Sequence, residues 1–358
     1  MASLKLRDRD AIITREGLIF RVFGYDHPEG TYICDAEYAP AQIFKSYNPK
    51  APRGSESSIF YKFYEDEGLK LLQKQYPQYM LFNEMLQRKI VGVRHSDVAD
   101  VRKPDARLAS LMEGKPKDEL VSATQNVLDH VTRLSGLPRT SFGVFGSMLH
   151  GFHHPKFSDI DLTVYGHRNV DKLRLTLQDL YETENSAFRN EFETIQSVEG
   201  KNWKFRNFSP EEFVRHQQRK LIYALLSDAK NGRVIKTEFE PVKDWSEISN
   251  EYSPDTRIAQ RGWTKMLARV TADEGAPFIP SHYEIEVLEV LQGAKEAAEA
   301  KRIVSYVEEF RMQAFKDEIV HVEGNLEELV NAQSSFIQVA LTYCPRYYEQ
   351  VLKSRDRS

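Results

Sequence analysis

The pattern with the clearest chemistry joins Gly146 and Ser147 to two aspartates, Asp159 and Asp161, that flank one apolar residue. Ile160, Leu162 and Val164 read as a strand. Side chains alternate across a strand, so both carboxylates project from one face while Ile160 and Leu162 take the other. Two carboxylates at that spacing repel each other unless a hard divalent cation lies between them. Mg²⁺ accepts one or two protein carboxylates and fills its shell with substrate phosphate oxygens. Phosphoryl or nucleotidyl transfer is the chemistry this suggests. Gly146 stands where a strand turns into a helix, and a glycine there lets backbone N–H groups approach a phosphate without a Cβ in the way. Ser147 can donate its hydroxyl to a phosphate oxygen and also cap the helix that follows. Either half of the pattern alone is commonplace, a plain turn or a solvated pair of acids. The weight comes from finding both, in this order, at the mouth of an apolar strand.

A third carboxylate is expected on a neighbouring strand, to act on the attacking hydroxyl. Glu238 and Glu240 alternate with Thr237 and Phe239 and share one face. Between Ser147 and the aspartates lie His150, His153 and His154, and Lys156, which is near enough in sequence to reach a phosphate. The histidines lack the usual companions of a zinc site. They read instead as a solvated loop or as contacts to a nucleobase or phosphate. Residues 201–220 carry Lys201, Lys204, Arg206, Arg215, Arg219 and Lys220 against Glu211 and Glu212, interleaved with Trp203, Phe205 and Phe208. Basic residues among aromatics can hold a triphosphate or stack nucleic-acid bases; a solvated helix face over core aromatics is the plainer reading, most of all from Arg215 onward. Residues 281–330 hold twelve acidic and five basic residues, a surface that repels phosphate backbones and argues against a main nucleic-acid platform in the C-terminal region.

These residues need elements to hold them. The chain of 358 residues is long enough for two or three domains, and 41% hydrophobic with 28% charged residues is ordinary globular composition. Cys34 and Cys344 are its two cysteines, too few for a disulfide framework and fitting for a reducing cytoplasm. No apolar stretch approaches the ~18 residues a membrane helix needs. The N-terminal region, 1–112, reads as β-rich with helices: Leu18, Phe20 and Val22 alternate, a turn follows at 26–30, and a helix is expected near 65–76. Over 113–250 the pattern becomes α/β. Leu120, Val127, Leu128, Val131 and Leu134 recur at helical spacing until Gly136 and Pro138 stop the helix, and a short strand at 142–145 leads into Gly146. Further helices are expected at 171–181 and 210–227, the second opened by a Ser209/Glu212 capping box, with a strand at 234–239. The region 251–358 returns to short strands, at 283–287, 303–308, 319–323 and 336–343, as in a small barrel or sandwich.

Phe145-Gly146-Ser147 with Ser158-Asp159-Ile160-Asp161-Leu162 resembles the motif of the polymerase-beta-like nucleotidyltransferases: apolar-Gly-Gly/Ser, a spacer, then acid-apolar-acid-apolar. The likeness covers 118–245, and the whole chain is similar to archaeal proteins labelled only as predicted nucleotidyltransferases or polymerase-beta-type subunits. It implies an α+β chain with a central nucleotidyltransferase domain between β-rich flanks. It also implies Mg²⁺ or Mn²⁺ held by Asp159, Asp161 and a third acid, and an NTP held through Gly146, Ser147 and Lys156. In relatives that add CCA ends, a proline follows the third acid by three residues, which favours Glu238 with Pro241 over Glu240. The acceptor would be an RNA 3′ end, reached through 201–220, a protein hydroxyl or a small molecule. A catalytically silent nucleotide- or RNA-binding module is the rival reading. A metal-dependent phosphohydrolase would need further His and Asp motifs.

Overall fold

A computed structural model describes residues 4–55, 58–199 and 203–355, which leaves Lys201 outside them. The chain is mixed α+β and forms two compact units. The first takes residues 1–83, 88–188 and 224–252; the second takes 84–87, 189–223 and 253–358.

The chain opens with strands β1 (Ala11–Thr14), β2 (Ile19–Val22), β3 (Thr31–Pro40), β4 (Pro52–Ser55) and β5 (Ser58–Lys62). Helix α1 (Glu67–Gln75) follows, then β6 (Met80–Asn83), β7 (Arg88–Arg94) and β8 (Val98–Arg102). They form one sheet in the order β4–β5–β3–β2–β1–β8, with β6 and β7 joined to it through β3. Alternation in β1 and β2 sends Ile12, Phe20 and Val22 into a core with Leu72 and Tyr79. A second apolar cluster joins Ala11, Ile19 and Tyr38 of this sheet to Leu149, with Phe60 and Phe152 packed against it. The N-terminal sheet is thereby fixed to the segment that follows Gly146.

Next come α2 (Pro104–Met112), α3 (Glu119–Ser135), β9 (Phe142–Val144), α4 (Gly146–His150), β10 (Ile160–Tyr165) and α5 (His167–Glu182). Helix α3 is capped by the Asp118 carboxylate, which accepts from the Val121 N–H, and stops at Gly136 in the left-handed conformation. After β11 (Phe188–Asn190) and α6 (Pro210–Lys220), the chain forms β12 (Tyr223–Asp228) and β13 (Arg233–Val242). Five of these strands form one sheet in the order β11–β12–β13–β10–β9. The Ser209/Glu212 capping box is present, but α6 ends seven residues before the expected Ser227. Leu221 turns left-handed at φ 56°, and from there Ala224 and Leu226 are buried in alternation with half-buried Tyr223 and Leu225. A short apolar run without polar breaks suits a strand as well as a helix, and pairing with the sheet decides it.

The second unit is built on β14 (Arg257–Ala272), β15 (Ser281–Gln292), β16 (Arg302–Ser305), β17 (Ile319–Val330), β18 (Ser335–Leu341) and β19 (Val351–Ser354). The order β14–β15–β16–β18–β17 closes on itself because β14 also pairs with β17, and β19 adds outside β17. Met266, Ala268 and Val270 of β14 reach the core of this ring with Tyr283, Ile303, Val322, Leu326 and Val339. β14, its longest strand, is not among the strands expected from the sequence. Its outer face is charged, with Lys265 paired to Glu323 and Arg261 to Glu328. Gly262, at φ 96°, sits in a bulge where the β14–β17 register shifts. Bulge and charges together break the alternation that would have revealed the strand.

Candidate active site

The site is assembled on two parallel strands. β10 and β13 pair with Asp161 opposite Glu238 and Thr163 opposite Glu240. Paired residues of parallel strands point to the same face about 4.8 Å apart, so Asp161 and Glu238 stand side by side. Asp159, two residues before Asp161, is exposed just ahead of β10, and Glu240 shares the face further along. On the opposite face Ile160, Leu162 and Phe239 are fully buried, which locks the register and with it the direction of every acid. The other neighbour, β9, sets Val144 opposite Leu162, and the Phe145 N–H donates to the Asp161 carbonyl at 2.9 Å. Gly146 follows at φ 60°. A Cβ there would overlap Asp161 Oδ2, so glycine is what lets the turn come against the carboxylate. Ser147 is half-buried in the first turn of α4 and is not its cap; Phe145 holds that position without a side-chain hydrogen bond.

Burial pushes the Asp161 carboxyl up to about 7, and the Asp159 charge adds to the rise. Lys62 and Arg9 oppose it, Glu240 reinforces it. Glu240, 1% exposed, is ion-paired with Arg9, itself 3% exposed at the side chain. Arg9 also lies 3.5 Å from Asp8 and over the Phe145 ring. Both cations come from the N-terminal sheet region, for which the sequence alone predicts no part in the site. The available signal was Arg7-Asp8-Arg9-Asp10, four charges leading into the apolar strand β1, all four of them buried. Charges are buried in such density only when paired.

The three histidines separate. His150 is buried beneath Tyr38 and Phe152, its Nε2 3.6 Å from Glu37, so it is a core residue and not part of a solvated loop. His153 Nε2 lies 3.0 Å from the Asp118 carboxylate, and His154 Nδ1 accepts from the Lys156 N–H. Lys156 itself is exposed in the turn at 155–157. The basic aromatic stretch belongs to the second unit. There Phe208 is core, Arg219 is tied to Glu318, and Lys220 is buried with Nζ donating to the Glu309 carbonyl at 2.6 Å. Lys204 and Arg206 remain exposed.

Among the described residues no group of three or more His, Cys, Asp or Glu is drawn together tightly enough to hold a metal ion. The donor chemistry nevertheless fits one. Asp159, Asp161 and Glu238 offer the carboxylate oxygens that Mg²⁺ and Mn²⁺ prefer; Asp161 is raised first by burial and then by repulsion from Asp159, and a cation held there would relieve that repulsion. Gly146→Ala is expected to unfold at lower denaturant by about 1–2 kcal/mol, because the added methyl meets Asp161 while the residue is held left-handed. Equilibrium urea unfolding measures it, and a wild-type midpoint would contradict the close approach.

Residues 125–227 match the family model described as the nucleotidyltransferase domain. The chain is also similar to an uncharacterized protein of Methanocaldococcus jannaschii, 27% identical over 341 residues that make up 92% of each chain. No solved structure matches it. No helix among the described residues is long and apolar enough to cross a membrane. Gly146, Ser147, Asp159 and Asp161 all lie inside the span that matches the nucleotidyltransferase domain model.

Proposed function

We propose that the protein transfers a nucleoside monophosphate from an NTP to an acceptor hydroxyl, with an RNA 3′ end as acceptor, in a reducing cytoplasm suited to its free Cys34 and Cys344. The observation that carries the proposal is the single acidic face of β10 and β13, with Asp161 beside Glu238 and against Gly146. Asp159, Asp161 and Glu238 would hold Mg²⁺ or Mn²⁺, in the two-metal arrangement used for in-line displacement. When bound, such cations neutralise phosphate charge and stabilise the attacking and leaving oxygens.

The chain's own residues have the remaining tasks. The bare Cα of Gly146 admits the triphosphate to the backbone, the Ser147 hydroxyl donates to a phosphate oxygen, and Lys156 adds positive charge from the flanking turn. Glu238 aligns the acceptor hydroxyl and draws on its proton. Glu240 is the weaker candidate for that role, because its charge is engaged by buried Arg9. Lys62 and Arg9 keep the acidic face from accumulating uncompensated charge.

Incubation with each labelled NTP, Mg²⁺ or Mn²⁺, and total cellular RNA or protein tests this. Label on RNA is the expected result. Label on protein moves the acceptor, and nucleotide binding without any transfer makes the domain a silent binding module.

A further inference from the structure

The first unit supplies the acids Asp159, Asp161 and Glu238. A cluster of rings and cations stands out on the second unit, where residues 203–206 meet 343–348. The Arg206 N–H donates to the Tyr348 carbonyl at 2.8 Å, clasping the two segments together. Phe205 packs inward on Phe310 and so on the ring core, and Tyr347 and Tyr348 pack on Phe205. Tyr343 stacks on Tyr347 with centroids 5.2 Å apart and planes 10° from parallel. The inner rings are a foundation; the outer ones are left outside, Tyr343 at 56% and Tyr348 at 38% exposure. Burial in this fold explains neither.

Cations surround these rings. Lys204 Nζ lies 5.5 Å from the Tyr348 ring, and the Arg346 guanidinium 3.8 Å from the ring of Trp263 on β14. Arg206 and Arg346 share one carboxylate, Glu349. Of the acids of 281–330, Glu309 reaches the cluster, accepting from the Tyr347 hydroxyl at 3.3 Å, and it is engaged by the Lys220 ammonium through its carbonyl. Those on β15 and β17 include Glu286, Glu323 and Glu328, which are occupied by Arg269, Lys265 and Arg261 of β14.

We propose that Tyr343 and Tyr348, with Lys204, Arg206 and Arg346, form a stacking platform for single-stranded RNA. Exposed rings take unpaired bases, whose faces stack whatever the sequence, while flexible cations beside them take the phosphates between. A duplex keeps its bases out of reach, so single strands are the fitting partner. The underlying architecture agrees. A closed order of β14–β15–β16–β18–β17 with β16 and β18 parallel is the connectivity of five-stranded Greek-key rings of the oligonucleotide-binding type. The platform rests on the RNA-acceptor part of the proposed function and would hold the strand, while chemistry belongs to Asp159 and Asp161.

Fluorescence anisotropy of the full chain with a labelled single-stranded RNA of about a dozen nucleotides, at low salt, tests it. Tyr343→Ala and Tyr348→Ala are each expected to weaken binding about fivefold or more, and the pair together about twentyfold, with unchanged melting for Tyr343→Ala. Tyr343→Leu, which keeps apolar bulk without the ring face, should behave as Tyr343→Ala does. Arg346→Gln should lower the salt slope by about one. Wild-type affinity in the tyrosine variants, equal preference for duplex RNA, or no RNA binding while protein is labelled in the transfer assay would each overturn the platform. Asp161→Asn separates the two ideas: it should bind RNA as wild type does. Binding without transfer in the wild-type chain would defeat the chemistry and leave the platform standing. Transfer with undiminished binding by the tyrosine variants would do the reverse.

Discussion

Asp161→Asn is expected to lower nucleotidyl transfer by about three orders of magnitude or more, and Asp159→Asn similarly, while both fold. The amide is close in size to the carboxylate but cannot supply its charge. Fold retention follows from the environment. Burial and the neighbouring Asp159 have already pushed Asp161 up to about 7, so the ionised form destabilises the empty site and the neutral amide does not. The pH dependence can be worked out from that shift. Below the ordinary value of 3.8 the carboxyl is protonated in folded and unfolded chains alike, and Asp161 costs nothing. Between 3.8 and about 7 the unfolded chain releases the proton while the folded chain keeps it, so stability falls as pH rises; above about 7 the loss levels off.

Asp10 behaves the same way. It is driven to about 7 chiefly by burial, against the pull of Lys103, so it contributes its own share of the slope. Urea unfolding in EDTA should show wild-type stability declining from about pH 5 to pH 8. Asp161→Asn should lose part of that decline and be the more stable protein at the upper end. A variant as pH-sensitive as the wild type would show that Asp161 ionises freely. Added Mn²⁺ should stabilise the wild type at pH 8 and leave the Asn variant unchanged.

The second large effect is structural. Arg9→Met should cost about 3–5 kcal/mol, because it strands the Glu240 carboxylate in the interior with its cation removed. Asp8 also loses a partner at 3.5 Å. The loss comes from the unpaired charge and not from the ion pair's intrinsic strength, since two charges taken from water repay little on meeting. The double variant Arg9→Met with Glu240→Gln should therefore recover a large part of the stability, though not the share due to Asp8. A double-mutant cycle by chemical denaturation measures the coupling. If the two substitutions simply add, the pair carries no interdependence and Arg9 is held by something else. Glu238→Gln is the useful contrast, because Glu238 is half-buried and its loss should touch turnover and leave the midpoint near wild type.

Local spacing determined the acidic strand, and the physical reason is simple. Alternation along β10 is a property of a few consecutive residues, so Asp161 on one side and Ile160 and Leu162 on the other follow without knowledge of the fold. The glycine turn, the α3 boundaries at Asp118 and Gly136, and the Ser209 capping box are equally local, since hydrogen bonds within a few residues decide them. Where the sequence misled, competing structures had nearly equal local cost: the apolar run after Leu221 completes a sheet, and β14 hides its inner face between charges and a bulge.

Tertiary structure alone decided where each carboxylate stands. Glu238 and Glu240 look alike in sequence, two acids on one side of one strand. The fold brings Arg9 from 231 positions away onto Glu240 and leaves Glu238 in register with Asp161. Pairings of that kind depend on how sheets close over one another, and no spacing within the chain encodes them. The same holds for Lys62, for His150 beneath Tyr38, and for Tyr343 resting on Tyr347. Sequence supplied the functional groups and their facing; packing distributed the charges among them, because electrostatic partners are chosen by distance through space.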